Sequence, residues 1–469
     1  MTAKENTLVF WLAAALLLFS TLSGADLWTQ EWRWADILWY MHVSGDYFHP
    51  HLAGSPYYDK PLLSYWFMLL STKFFGLNEW GLRLPSACAG LVVLYCTPSI
   101  GKIIFNPHIA NKASWILLTS YFFIFWSRIA SSDMLNVASI LLAVNLYFIK
   151  KNKTDFFSYF IFCFVLATSA LIKGPVAIIL VGLVVLPDLI ASKKLTTHLN
   201  FKFLLSVFIN LFIYTLPFLI AHQNTLHENS LYLVYRENVL RFLSPFDHQS
   251  HWTTYFIYLP YYLLPWSLIS IPCFFKKPTP LSKQQKTFLI STVFIFLFFT
   301  VSGSRRSYYI LPLLPFTALW IAFFLETHYL KKIFYHFIIP FYLVLLLWFS
   351  CFQNLYFHYY GIKPFVRLIK TTAIKLKPWD EWQLISIGAD DRISFYLQPR
   401  ALPSSFRDFP QNTAALESFK KTRPLILIIS SSLFSKYHAL LPTPRFTLDS
   451  ASQKTSVNKQ DKDIALIIP

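Results

Sequence analysis

Apolar runs of near-spanning length recur along the chain, at about 8–24, 84–104, 113–127, 133–149, 156–172, 174–191, 203–221, 254–274, 287–301, 308–325 and 333–352. A hydrocarbon core is roughly 30 Å thick, so each run reads as one helical crossing. The pattern predicts an all-α polytopic membrane domain over residues 1–352, with about 11–13 transmembrane helices when helices hidden in long connections are included. Residues 25–83 and 222–253 are much longer than ordinary helix–helix connections, which marks them as functional. The first of these carries Trp28, Trp32, Trp34, Trp39 and Tyr40, so interfacial helices along the membrane surface are expected there. Beyond about 353 the pattern changes. Leu384–Ile387, Leu425–Ile429 and Ile464–Ile468 read as buried strands, with helix-like stretches near 413–421 and 431–440 between them. A small α/β domain over 353–469 follows.

Lysines set the expected orientation. Lys102 and Lys112, then Lys150, Lys151 and Lys153, then Lys193, Lys194 and Lys202, then Lys276, Lys277, Lys283 and Lys286, and last Lys331 and Lys332 occupy every second connection. By the positive-inside rule these connections are cytoplasmic. The N-terminus is then cytoplasmic, the two long loops lie outside, and an odd helix count puts the C-terminal domain outside as well, periplasmic for an inner-membrane protein. The net charge of +18 would suggest nucleic acid in a soluble chain. Here 55% of residues are hydrophobic and 14% charged, so the lysines are assigned to cytoplasmic loops and anionic lipid headgroups, and no nucleic-acid partner is expected. Cys88, Cys96, Cys163, Cys273 and Cys351 lie in or beside apolar segments without paired spacing. They read as packing residues, not as a disulfide or metal framework.

Charges kept at outside helix ends invite a functional reading, because a charge inside a membrane helix is costly. Glu31 and Arg33 follow the first run, and Asp59-Lys60-Pro61 lies further along the same loop. There a carboxylate can act as a base or metal ligand, and a lysine can neutralise phosphate. A Glu31–Arg33 pair in a solvated loop is the plainer alternative. Arg128 and Asp133 flank another outer junction, where an Arg–Asp pair that only positions helices is the plainer reading. Lys173-Gly174-Pro175 forms a further outer turn, with a lysine against the inside bias. Arg241, Arg305 and Arg306, with Tyr309 nearby, suit bidentate phosphate recognition; simple binding of outer-leaflet headgroups is the alternative. Pro265-Trp266 and the Pro312/Pro315 pair predict kinked helices.

The order of these segments over roughly 25–330 resembles the membrane glycosyltransferases of the GT-C fold, in the protein O-mannosyltransferase superfamily, and within it the aminoarabinose lipid A transferases. The resemblance rests on Gln30-Glu-Trp-Arg-Trp-Ala35, Ser44-Gly-Asp46, Tyr57-Tyr-Asp-Lys-Pro61, Trp80-Gly-Leu-Arg-Leu-Pro-Ser86, Asp133, Lys173-Gly-Pro175, Glu237-Asn-Val-Leu-Arg-Phe242, Leu264-Pro-Trp-Ser267 and Tyr309-Ile-Leu-Pro312. It implies a hexosyl- or pentosyltransferase of cell-envelope glycan or lipid A biosynthesis. Such an enzyme takes sugar from a polyprenyl-phosphate donor at the outer face of the cytoplasmic membrane, with inversion, and passes it to a lipid, glycan or protein acceptor. Gln30 stands where the family usually has an aspartate, and a glutamine amide is no proton acceptor. Glu31 is then the first candidate base and Asp133 the second. Lys60, Arg241, Arg305 and Arg306 are the expected donor-phosphate contacts, and Gln30, Arg33, Arg83, Lys173, Glu237 and Tyr309 the structural or substrate-positioning residues. Asp59 and Asn238 are candidate metal contacts. Asn238 replaces a common family histidine, so no cofactor is required and no strict dependence on a divalent metal is expected. A non-catalytic binder or transporter of lipid-linked sugar is the alternative reading.

Overall fold

Helices dominate the chain order because apolar residues with internally satisfied backbones are what a membrane tolerates. The computed structural model describes residues 3–52, 55–223, 236, 250–275, 280–327, 331–397, 404–405, 424–438, 441, 443–450 and 463–469. In chain order its helices begin with α1 (Ala3–Phe19), α2 (Glu31–Ser44), α3 (Leu62–Phe75), α4 (Glu79–Ile104), α5 (Pro107–Leu118) and α6 (Tyr121–Ser127). Next come α7 (Ser132–Lys150), α8 (Phe156–Lys173), α9 (Val176–Ala191), α10 (Phe201–Gln223), α11 (Thr254–Tyr262) and α12 (Trp266–Ser270). Then follow α13 (Lys283–Val301), α14 (Leu314–Thr327), α15 (Lys331–Leu347), α16 (Gln353–Tyr360), α17 (Lys363–Ile374), α18 (Asp391–Leu397) and α19 (Ser431–Tyr437). Among the described residues seven helices are long and apolar enough to cross a membrane, or eight if one bent pair is a single span. This is a multi-pass membrane protein. The chain divides into two compact units: Met1–Ser20, Tyr58–Gly76 and Gly81–Leu347 form the first, and Thr21–Tyr57, Leu77–Trp80 and Trp348–Pro469 the second.

In the first unit α7 packs on α8 and α9, and α8 on α10. The apolar window of the Ser132–Lys150 helix is 78% buried, against 22% for Phe201–His222. Burial explains their different sequences: α7 carries Asp133, Asn136, Ser139 and Asn145, whereas α10 leaves Leu204, Phe208, Leu211 and Phe212 exposed, as a lipid-facing helix would. The Ser139 and Ser169 hydroxyls meet at 2.6 Å between α7 and α8, a small-residue contact of the kind that draws membrane helices together.

The run at 113–127 is not one helix. α5 and α6 are separated by Thr119 and Ser120, whose hydroxyls donate back to the carbonyls of Trp115 and Ile116 and occupy acceptors at the end of α5. The run at 254–274 is also broken, by a 97° bend between Thr254–Tyr262 and Trp266–Cys273. Proline at 265 removes a backbone donor there, as the kink expectation requires. Pro312 likewise lies in a 3-10 turn, Ser307–Leu313. The helix α3 lies inside the long first loop and is largely apolar, with Lys73 in its last turn.

In the second unit, α2 buries Glu31, Trp34, Ala35, Leu38 and Met41, positions that share one face at helical spacing. It ends at Gly45, which takes φ +71° and returns its N–H to the Met41 carbonyl at 3.1 Å, as left-handed C-caps do. A short hairpin of β1 (His51–Leu52) and β2 (Ser55–Pro56) follows. The C-terminal part contains β3 (Gln383–Ile387), β4 (Ser404–Ser405), β5 (Leu425–Ser430), β6 (Phe446–Asp449) and β7 (Asp463–Ile468). They form a five-stranded sheet in the order β4-β3-β5-β7-β6. β3 runs parallel to β4 and β5, and β7 antiparallel to β5 and β6. The three strand expectations coincide with β3, β5 and β7. Period-2 alternation sends Leu384, Ile426, Ile428, Ala465 and Ile467 to one face, against Phe365, Ile369 and Ala373 of α17. Ile385, Ile387, Leu427, Ile429 and Leu466 go to the other, against Leu433 and Phe434. A sheet covered on both faces has near-continuous apolar strands, which is why these were visible. The expected helix at 431–440 is α19; that at 413–421 lies outside the described residues.

Candidate active site

The N-terminus of α7 and the C-terminus of α8 supply a buried charged pair of the first unit. Ser131 caps α7, its hydroxyl accepting from the Asp133 N–H at 3.2 Å. This fixes Asp133 in the first turn, where the positive end of the helix dipole favours a carboxylate. Lys173 is the last residue of α8. Gly174 follows with φ +97° and donates its N–H to the Ala170 carbonyl at 2.8 Å, stopping the helix there. The Lys173 ammonium donates to an Asp133 carboxylate oxygen, and the two side chains are only 16% and 8% exposed.

The 3-10 turn Ser307–Leu313 adds aromatic surface. The Lys173 ammonium lies 5.1 Å from the Tyr309 ring centre and 5.9 Å from that of Tyr308, within cation–π range. Tyr308 packs on Trp126 at 4.7 Å and accepts a 2.6 Å hydrogen bond from the Arg306 guanidinium. One lysine, one arginine, one carboxylate and a set of aromatic rings therefore share this corner of the unit. Such a group can offset phosphate charge and orient a hydroxyl nucleophile.

The other predicted residues have different settings. Arg128 does not pair with Asp133. Its guanidinium donates to the carbonyls of Leu17 at 2.7 Å, Leu18 at 3.2 Å and Ser20 at 2.6 Å, satisfying the acceptors left open where α1 ends. Arg305 donates from Nε to the Thr300 carbonyl at 3.1 Å and from Nη1 to the Ser250 carbonyl at 2.8 Å. Lys60 donates to the Asp59 carboxylate at 3.2 Å and to its carbonyl at 3.0 Å. Arg83 is buried. Arg241, Glu237 and Asn238 lie outside the described residues. Among the described residues no three His, Cys, Asp or Glu side chains gather to hold a metal ion.

Gln30, Glu31 and Arg33 belong to the second unit. Gln30 occupies the N-cap position of α2 without a side-chain capping bond. Glu31 is buried, and its carboxylate accepts from the Trp28 N–H at 2.6 Å. Arg33 is exposed, its guanidinium 5.9 Å from the Trp32 ring centre. The Asp46 carboxylate accepts from the N–H groups of Phe48 at 3.0 Å and His49 at 3.1 Å and meets the His49 ring at 2.7 Å. Partial burial raises its pKa, but these hydrogen bonds outweigh that and leave the carboxyl below its ordinary value.

The chain is similar to several known proteins. Residues 59–221 match the family model described as dolichyl-phosphate-mannose-protein mannosyltransferase. An undecaprenyl phosphate-alpha-4-amino-4-deoxy-L-arabinose arabinosyl transferase of Pseudomonas savastanoi pv. phaseolicola is 29% identical over 68% of this chain and 61% of its own length. A namesake from Pseudomonas fluorescens is 25% identical over 67% and 57%. The chain thus spans little more than half the length of the curated relatives it matches. ArnT from Cupriavidus metallidurans, solved bound to undecaprenyl phosphate, superposes with a TM-score of 0.78 at 16% identity, covering 99% of this chain and 98% of that one. The match extends over both units and identifies the fold. The chain therefore has the fold of ArnT, and its sequence is similar to the mannosyltransferase family over residues 59–221 and to the aminoarabinose transferases over about two thirds of its length.

Proposed function

We propose that the protein transfers a sugar from a polyprenyl-phosphate donor to a lipid, glycan or protein acceptor, with inversion, at the outer face of the cytoplasmic membrane. The N-terminus is cytoplasmic and the C-terminal domain outside in this reading, in keeping with the lysine pattern. The observation that carries it is the Asp133–Lys173 pair beside Tyr308, Tyr309 and Arg306. An acceptor oxygen attacks the anomeric carbon as the bond to the phosphate oxygen breaks, and negative charge passes to the leaving phosphate. Lys173 and Arg306, with Lys60 and Arg241, offset that charge. A phosphate that engages Lys173 loosens its hold on Asp133, whose carboxylate then orients the acceptor and takes its proton. Asp133 leads over Glu31, because it shares its corner with Lys173, Arg306, Tyr308 and Tyr309, whereas Glu31 is fully buried with its carboxylate turned back to the Trp28 N–H. The relatives named for aminoarabinose favour a pentosyl over a hexosyl donor.

Proteoliposomes given labelled undecaprenyl-phosphate-linked pentose or hexose test the reading. Asp133→Asn is expected to lose transfer by about 10²-fold or more. Full activity in that variant would remove Asp133 from the mechanism. A wild type that binds the donor but transfers nothing from any donor would favour the binder or transporter alternative, which Gln30 supports.

A further inference from the structure

We infer that the C-terminal α/β domain positions the Gln30–Arg33 segment, acting through Tyr396 and Arg392 on the backbone of Leu27. This rests on the sugar-transfer reading, with Gln30 and Arg33 as the substrate-positioning residues that the sequence resemblance implies. All the groups involved belong to the second unit. The Leu27 N–H donates to the Tyr396 hydroxyl at 2.8 Å, and the Leu27 carbonyl accepts from Arg392 at 2.9 Å. Both polar backbone groups of one fully buried residue are thus held by a single short helix, α18. The grip is itself fixed. Arg392 makes a two-pronged contact with Asp390, at 2.8 and 2.6 Å, which sets the plane of its guanidinium. The Tyr396 hydroxyl donates onward to Glu79 at 2.8 Å.

Helix α17 holds the residues just before. The Ser23 carbonyl accepts from the Lys363 ammonium at 2.9 Å. The buried Asp26 carboxylate accepts from the Ile362 N–H. Gly361 makes room for that carboxylate: a Cβ there would stand 2.4 Å from Asp26 Oδ2 and 2.3 Å from the Phe357 carbonyl oxygen. Residues 23–27 are therefore tied to α17 and α18 at successive points. Trp28 follows directly, and its N–H and carbonyl bond to the Glu31 carboxylate at 2.6 Å and the Glu31 N–H at 2.8 Å. A shift at Leu27 passes to the first turn of α2 without a flexible residue between. Tyr396 and Arg392 are positioning residues; neither touches a reacting group.

The test uses the full-length protein in proteoliposomes with undecaprenyl-phosphate-linked sugar, and amide exchange of the same samples. Tyr396→Phe, which loses only a hydroxyl, and Arg392→Met are each expected to lower kcat roughly tenfold, with donor KM nearly unchanged, as a misplaced active segment would. Arg392→Lys should recover part of the loss. Amides 27–33 should exchange faster while those of α7 and α8 keep their protection. Wild-type kcat and exchange in both variants, alongside an inactive Asp133→Asn, would overturn the inference and leave the function standing. If the wild type transfers from no donor, the function fails and exchange alone decides: unchanged rates at 27–33 overturn the positioning role as well. Should Arg392→Met not fold, Tyr396→Phe carries the test.

Discussion

The Lys173 ammonium donates to the Asp133 carboxylate across the gap between the end of α8 and the start of α7, joining residues 40 positions apart. Both side chains are largely buried, so removing one leaves the other uncompensated, at a cost of roughly 3–5 kcal/mol. Lys173→Met and Asp133→Asn should each lower the melting temperature in detergent. The double variant should regain most of that loss yet remain inactive. A double variant no more stable than the sum of the single changes would show that the pair is not coupled.

Arg128 has a structural task, and its variants should separate from those of Lys173. Its guanidinium closes the carbonyl end of α1. Arg128→Met leaves those acceptors open, with an expected loss of about 1–3 kcal/mol. Faster amide exchange near residues 17–20 with an unchanged donor KM is the anticipated result. A raised donor KM at full stability would instead assign Arg128 to the substrate.

The sequence reveals what depends on local periodicity and misses what depends on partner choice. Near-continuous apolar runs located β3, β5 and β7 because both faces of that sheet are covered. β6 has exposed and half-buried positions and so carries no such pattern. Asp133 and Lys173 stood out as charges at helix ends, but spacing put Asp133 beside Arg128. The pairing with Lys173 arises from the packing of α7 on α8, which no local pattern records. Two of the Arg305 donors likewise meet carbonyls, those of Thr300 and Ser250, contacts that spacing does not reveal. No local pattern marks Tyr396 and Arg392, since their target is the backbone of a residue more than 360 positions away. The helix breaks at 119–120 and 263–265 were legible only in part: proline marks the second, whereas Thr119 and Ser120 are ordinary membrane-helix residues.

Tyr309 stands within cation–π distance of Lys173, and the ring, not the hydroxyl, makes that contact. Tyr309→Phe should therefore keep the Lys173 environment, while Tyr309→Leu forfeits about 0.5–2 kcal/mol of attraction. Donor binding measured by titration with undecaprenyl phosphate separates the two. Equal weakening in both variants would point to the hydroxyl as the group that meets the phosphate.

Asp46 offers a pH test outside the spanning helices. Its burial acts against ionisation, but hydrogen bonds from Phe48, the His49 ring and the His49 N–H hold its folded pKa below the ordinary value. A carboxyl depressed on folding contributes stability that is complete above its unfolded pKa of about 3.9 and is lost as pH falls through the lower folded value. The N–H groups of Phe48 and His49 should thus stay protected at pH 5 and lose protection progressively below about pH 4. In Asp46→Ala both amides should exchange quickly at every pH. Protection at those two positions that is independent of pH in the wild type would show that the carboxylate does not hold the turn.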